Sequence, residues 1–499
     1  MPTYKHGVYV REEATSLIAP IRGTSGLQVI FGTAPAALAD DPTTCLEPKL
    51  CYTYEEAVKA LGYSDDWAKY TLCQSMDACF RVFNIAPVVF VNVFNPLKTG
   101  NSTAVSATEM DVTAHKILIK STSEPNGVFG IIRSTIAVKT AGSGGTALAE
   151  GTDYTITQDS AGRTTIALVS GSTNYSAAKL SVAYSTMKVD GITKTDIIGG
   201  YDASTGKRTG LDLIHEIYPR FGLTPGVILA PGWSSDAQVV AALEAHCTGV
   251  SGVYQCEAIA DIPSDSTSGV IVYSGVKEKK DSLGMDSSHL VACWPKAAIG
   301  NKIYCLSALL GALCAQTDAE NGDVPARSPS NLSLGATRLC LADGAEVVLT
   351  QEQANAVNSF GVVTGLAHGT LRAWGNRTAC YPEQTDPKDM WIATRRMFTW
   401  LSNTLILTYF QRVDDPMNYR LIESIIDSFN VQGNSYVANG YCAVCKAHYE
   451  ADDNPTTELL DGHITFRIDF APYTPAEQIE FVITFNTDAI QTALEGGEA

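Results

Sequence analysis

The stretch GVILAPGWSSDAQVVAALEAHCTGVSGVYQCEAIADIP, residues 226–263, decides how the rest of this chain is read. Residues 226–230 are an apolar, β-branched run that stops at Pro231-Gly232. Ser234, Ser235 and Asp236 then supply helix-capping side chains, so a helix is expected from there to about His246. Residues 253–260 read as the next strand, ending at Asp261-Ile262-Pro263. Strand, helix, strand in such succession implies a mostly parallel sheet covered by helices. Working outward, residues 289–294 and 361–366 are further strand candidates. Towards the N-terminus, residues 27–31 and 87–94 (PVVFVNVF) are apolar runs flanking a helix-like stretch at 54–83, the look of buried strands in a layered sheet. The expected fold class is mixed α/β, with a layered core drawn from residues 27–100 and 191–380.

Composition narrows the function. The 499 residues are 45% hydrophobic, which suits a well-cored protein of several domains. Acidic residues outnumber basic ones, 53 to 35, for a formal charge of −18. So negative a surface argues against direct nucleic-acid binding or an anionic membrane. Thirteen scattered cysteines, an odd number, read as reduced thiols made in a cytoplasm. MPTYKHGVYVREE has no apolar core of a secretory signal, and the most apolar stretch, 303–315, is too short for stable membrane insertion.

Between residues 101 and 190 the character changes. Ser, Thr, Gly and Ala dominate, with turn clusters at 124–127, 141–145 and 159–162. Short runs at 116–119, 131–138, 154–157, 164–168 and 179–184 predict a small inserted β-sandwich.

Residues 381–477 are expected to form an α+β C-terminal domain. A helix at 390–411 has apolar residues on nearly every face, so more than one neighbour should enclose it. A second helix is expected to follow, with Asp414 or Asp415 as N-cap, Pro416 at its first helical position, and Leu421, Ile422, Ile425, Ile426 and Phe429 on one face. Residues 436–449 and 463–470 read as strands; Ile464, Phe466, Ile468 and Phe470 alternate with polar residues. The run 471–475 is expected to stop the chain. Residues 478–485 then form one more strand candidate, with Ile479, Phe481, Ile483 and Phe485 on one side and Val482 on the other. At the opposite end Tyr4, Val8, Tyr9 and Val10 suit an extended strand, set off by a linker-like passage at 16–26. The chain therefore carries a strand-forming arm at each end, residues 1–26 and 478–499. A tethered strand has unpaired main-chain groups, which pairing with another subunit's sheet would satisfy.

The search for chemistry finds little. Residues 205–210 (TGKRTG) fail the phosphate-loop template, because Tyr201 stands where its first glycine belongs and Arg208 where the magnesium-holding hydroxyl belongs, so they read as a turn between strand and helix. A nucleophile elbow is absent. Cys442 and Cys445 lie in a strand-like run, where alternation would put the thiols on opposite faces, so buried structural cysteines are expected rather than zinc ligands. No catalytic residue, cofactor or metal is expected.

Several segments together resemble the contractile tail sheath proteins of bacteriophages and related injection machines. They are Gly7-Val-Tyr-Val-Arg-Glu-Glu13, Pro20-Ile-Arg-Gly-Thr-Ser25 and Phe31-Gly-Thr-Ala-Pro35; Ala230-Pro-Gly232 and Asp261-Ile-Pro263; Thr317-Asp-Ala-Glu320, Ser328-Pro-Ser-Asn331 and Trp374-Gly-Asn-Arg-Thr378. The ending carries Arg395-Arg396 in a long helix, an Asp415-Pro416 break and Phe470-Ala-Pro-Tyr-Thr-Pro-Ala-Glu477. The resemblance spans nearly the whole chain except residues 101–190. It implies a structural, non-enzymatic subunit that forms stacked six-fold rings around an inner tube and contracts from a metastable state. The same resemblance implies partners in the tube, baseplate and tail terminator proteins, a place in the virion tail, and assembly in the bacterial host cytoplasm. Lent strands would be near Tyr4, Val8, Tyr9 and Val10 and near Ile479, Phe481, Val482, Ile483 and Phe485. Tyr441, Ala443, Val444, Ile464, Phe466 and Ile468 would mark the receiving strands. Arg395 and Arg396 are candidates for contact with the tube, with an internal ion pair as the other reading. The inserted sandwich is expected to face outward; a surface- or glycan-binding virion protein acting through it is the alternative function.

Overall fold

A computed structural model describes residues 24–142, 144–159 and 162–495. Its centre is an eight-stranded sheet. The strands are β1 (Gln28–Gly32), β2 (Lys49–Cys51), β3 (Val88–Asn92), β4 (Val227–Leu229), β5 (Glu257–Asp261), β6 (Leu290–Cys293), β7 (Val362–His368) and β8 (Thr370–Trp374), in the order β2-β3-β1-β4-β5-β6-β7-β8. The six inner strands run parallel and only the two edges are antiparallel. β1, β3, β4, β5 and β6 are buried at every position, as a sheet covered on both faces requires.

Between β4 and β5 runs α2 (Ala237–Ala245), whose first turn is capped by Asp236 accepting from the Gln238 N–H at 2.9 Å. The helix-like stretch at 54–83 divides into α1 (Tyr54–Leu61) and a second helical piece, Leu72–Asp77, continued as a π turn through Val82. Gly62, at φ 75°, ends the first helix. α3 (Leu306–Glu320) is enclosed along nearly its whole length. It lies close on the sheet because Gly311 carries no side chain: a Cβ there would meet Leu229 at 2.8 Å and Gln28 at 2.9 Å. Separate apolar clusters fill the two sides of the sheet, one around Leu72, Phe90 and Leu309, the other around Phe31, Val239 and Trp294.

Within residues 102–187 the chain forms two three-stranded antiparallel sheets, Ser102–Asp111 with Lys179–Met187 and Ala137–Thr140, and Lys116–Leu118 with Thr164–Leu168 and Tyr154–Gln158. Ile117, Ile166, Leu180 and Val182 lie between them in a cluster of their own. The first of these strands has no sequence forecast, since STAVSATEMD is mostly exposed and lacks apolar alternation.

The C-terminal part holds α4 (Ile392–Tyr409), α5 (Tyr419–Ala438) and a two-stranded antiparallel sheet of β9 (Cys442–His448) and β10 (Arg467–Pro472). Four expectations are corrected here. α5 begins later than forecast, capped by the Asn418 side chain on the Leu421 N–H rather than by Asp414 or Asp415. It also runs on to Ala438, so the strand forecast from 436 starts only at 442 and Tyr441 precedes it. β10 is displaced towards the C-terminus: Ile464 and Phe466 precede it, and Ala471 and Pro472, expected to stop the strand, pair with Val444 and Cys442. Finally, a bulge between Cys442 and Val444 breaks the alternation, so both thiols are buried rather than on opposite faces.

Beyond Pro472 the chain is extended and without a ladder until α6 (Thr487–Leu494).

Candidate functional site

In an open parallel sheet, ligands bind beyond the carboxyl ends of the strands. Here that crevice is filled by the chain itself. Asp261, at the end of β5, accepts from the Ser307 N–H at 2.9 Å and the Ser307 hydroxyl at 2.5 Å, so its carboxylate caps the first turn of α3. Gln74 accepts from the adjoining Cys305 N–H at 2.9 Å. The best-formed cavity among the described residues holds only about 10 Å³, the space of about one water.

The failed phosphate loop is a hairpin turn between strands Gly200–Asp202 and Lys207–Thr209, not a turn between strand and helix. Asp202 fills it. Hydrogen bonds from the Ser204 and Thr205 hydroxyls and the Ser204 N–H hold its carboxyl at about 2, and that negative charge opposes phosphate. Asp212, His215 and His246 approach closely enough to suggest a metal. His215 Nδ1, however, accepts from the Ser251 N–H at 2.9 Å. The neutral ring's proton is then on Nε2, the atom facing Asp212 at 3.7 Å, and a metal there would need an imidazolate. Arg208 also pairs with Asp212 at 2.6 Å. The group is a hydrogen-bonded cluster. All thirteen cysteines are free and buried, and burial pushes the Cys445 thiol up to about 12, which suits structural packing and not nucleophilic chemistry.

The unsatisfied feature is on the surface. Between β10 and α6, Ile479, Phe481, Val482, Ile483 and Phe485 are 72%, 86%, 85%, 93% and 76% exposed. Residues 478–485 form no strand, and no pairing partner for them occurs among the described residues. Close by in sequence, β9 and β10 pair only with each other among the described residues, which leaves two edges open there. Ala443 and Val444 are exposed and Ile468 is half-buried. Behind the sheet, α5 presses directly on β9 at Gly433, where a Cβ would meet the Cys445 carbonyl oxygen at 2.1 Å. Tyr4, Val8, Tyr9 and Val10 lie outside the described residues.

Arg395 and Arg396 are corrected from tube candidates to internal ion-pair partners. Arg395 pairs with Asp389 at 3.0 Å, and Arg396 with Asp318 at 2.5 Å, both inside the protein. Burial works against a charged Arg396, but the Asp318 carboxylate overrides it and holds the guanidinium above its ordinary value. Arg396 keeps 3% and Arg395 10% of its side chain exposed. Sequence reasoning left the partners of these arginines unassigned, and it missed Arg377, which bonds Glu477 through two nitrogens at 3.2 and 2.5 Å.

Comparison with known proteins shows what such a molecule is similar to. No family model matches the chain. The tail sheath protein of Burkholderia phage BcepMu is 24% identical over 503 residues, covering 99% of both chains. The tail sheath protein of Escherichia phage P2 is 23% identical over 300 residues, 58% of this chain and 69% of that protein. Along nearly its whole length the chain is similar to a contractile tail sheath protein. A putative prophage major tail sheath protein of Pseudomonas aeruginosa is 25% identical over 290 residues, 57% of this chain and 71% of that protein. Solved structures share the fold. A chain of the six-fold symmetrised anti-feeding prophage baseplate superposes with TM-score 0.57 at 13% identity, over 97% of this chain and 100% of that chain. The sheath of an extracellular contractile injection system in its contracted state gives 0.53 at 14% identity, over 97% and 99%.

Proposed function

We propose that this sheath subunit polymerises by lending its terminal strands to neighbouring copies. Residues 478–485 leave their own body and pair with an open edge of a neighbour's β9–β10 sheet, with Ala443, Val444 and Ile468 on the receiving side; Tyr4, Val8, Tyr9 and Val10 serve the same purpose from the other end. The observation that carries this reading is the near-complete exposure of five large apolar side chains in one extended segment.

The energetics explain why the polymer is needed. Burying Ile479, Phe481, Ile483 and Phe485 on one face contributes on the order of 8 kcal/mol. Ordering eight residues of backbone costs a comparable amount, on the order of 10 kcal/mol. Main-chain hydrogen bonds add about 1 kcal/mol each. A single exchange is therefore weak, and repetition through stacked six-fold rings makes the mesh strong. Such rings enclose an inner tube, join a baseplate at one end and a terminator at the other, and contract from a metastable extended state to a shorter one. The tube is driven through a host envelope without nucleotide. Assembly takes place in the host cytoplasm before the tail enters the virion. The self-contained core of residues 102–187 supports an outward position for the sandwich.

Negative-stain microscopy of the full chain tests this reading. Long hollow cylinders are expected, and removal of residues 478–499 or 1–13 should leave folded monomers without cylinders. Cylinders persisting in both truncations would overturn strand exchange.

A further inference from the structure

Side chains from distant parts of the sequence converge on the first turns of α4. Arg396, on α4, bonds the Asp318 carboxylate at 3.1 and 2.5 Å and the Ser25 carbonyl oxygen at 3.0 Å. The Ser25 hydroxyl donates to Asp318 at 3.0 Å, so the chain immediately before β1 is held against α4 and α3. Five positions before Arg396, Trp391 is the N-cap residue of α4. The Arg377 guanidinium lies 3.7 Å over its ring and 4.5 Å over that of Tyr381. Fixed between these aromatic faces, Arg377 presents its planar fork to Glu477, the residue just before the exposed segment. Five residues of helix span about 7.5 Å, so the two chain ends are rooted close together on one rigid rod.

We propose that Arg377 and Glu477 form the latch that fixes where the C-terminal arm leaves the body, seated on the same helix that holds the root of the N-terminal segment. The two anchors differ in permanence. Arg396 and Asp318 are 3% and 1% exposed, and separating them would strand a charge in the interior. Arg377 and Glu477 are 14% and 39% exposed, so on opening Glu477 passes to water while Arg377 stays packed on its aromatic faces, and parting them costs less than parting the Arg396 pair. With the latch shut, the segment free to cross runs from residue 478 to 486, about 30 Å at strand rise. With it open, the segment begins after Pro472 and reaches about 45 Å. The latch thus gives one arm two lengths. Its purpose rests on the strand-exchange reading above; the existence of the latch does not.

The test is spin-label mobility in the full chain, kept unpolymerised. Because the native cysteines are buried, nitroxide attached through Thr474→Cys or Thr484→Cys reports one site at a time. The label at 474 should tumble at least three-fold more slowly than the label at 484. Glu477→Gln, and separately Arg377→Lys, should bring 474 to the rate of 484 and leave 484 unchanged, whereas Glu480→Gln should alter neither. A label at 474 that is as mobile as 484 in the parent chain, or that stays slow in Glu477→Gln, overturns the latch. Microscopy of the same proteins keeps the two ideas apart. Loss of cylinders on removal of 478–499 bears only on strand exchange, and mobility at 474 bears only on the latch.

Discussion

Arg396 shows how far a residue's role depends on what surrounds it. In sequence it is a cation in a long helix; in the structure it is a buried half of an ion pair that also holds the Ser25 main chain. Arg396→Met alone should destabilise the body by about 3–5 kcal/mol, because Asp318 is left charged and buried. Adding Asp318→Leu should recover at least half of that loss. Urea denaturation followed by tryptophan fluorescence checks both, and a single variant with the parent midpoint would contradict the assignment.

Titration offers a second test at this scale. Burial lowers His215 and His246 below the ordinary 6.5, with Asp212 acting in the opposite sense. The unfolded chain therefore takes up protons first as pH falls. The stability these rings contribute is complete above about pH 7 and is lost as pH drops through 6.5 towards the folded values. Burial, with the charge of Asp286, raises Glu244 to about 7, the reverse case: its contribution is present at low pH and is lost as pH rises from 4.5 through about 7. Melting curves between pH 5 and 8 should show a flatter acid side in His215→Gln and a flatter alkaline side in Glu244→Gln.

Among the elements, the β9–β10 sheet depends on a helix that has almost no clearance. α5 meets β9 through Gly433, and Gly433→Ala must push the helix from the Cys445 carbonyl. A loss of about 1–3 kcal/mol in stability is expected, seen as a lower melting temperature. Cylinder formation should suffer more than folding does, since the displaced helix supports the open-edged strands. The same element marks where sequence reading stopped. Residues 436–438 have the composition of a strand, yet they complete the last turn of α5, where Tyr436 packs against Trp400. Tertiary packing outweighed local preference. The bulge beside Cys442 was equally invisible, because nothing in CAVC announces an extra residue between paired strands.

Across the whole molecule, the inserted sandwich is bounded by strands that begin and end together: Ser102 pairs with Met187. Replacing residues 103–186 by a short Gly-Ser turn should leave a folded body with nearly the parent melting temperature, because the removed part keeps its own core. Cylinders should also still form, as neither arm nor receiving sheet is touched. A variant that fails to fold would show that the sandwich is integral to the body.

The sequence by itself determined the parallel sheet, the helix over it, the strands of the sandwich and the unpaired apolar run near the C-terminus. Each of these is written in local periodicity, and a buried strand such as β3 or a capped helix such as α2 needs only neighbouring residues to declare itself. Even the exposed apolar face of residues 478–485 was legible, since alternation along one strand is a local property. What only the tertiary structure decided is which distant groups meet. Ser25 lies hundreds of positions from Asp318 and Arg396, those two lie 78 apart and Arg377 and Glu477 a hundred, and no period connects them. Charge is attractive over any sequence distance, so partners are chosen by the packing of α3, α4 and the chain ends, and that packing exists only once the whole body has folded.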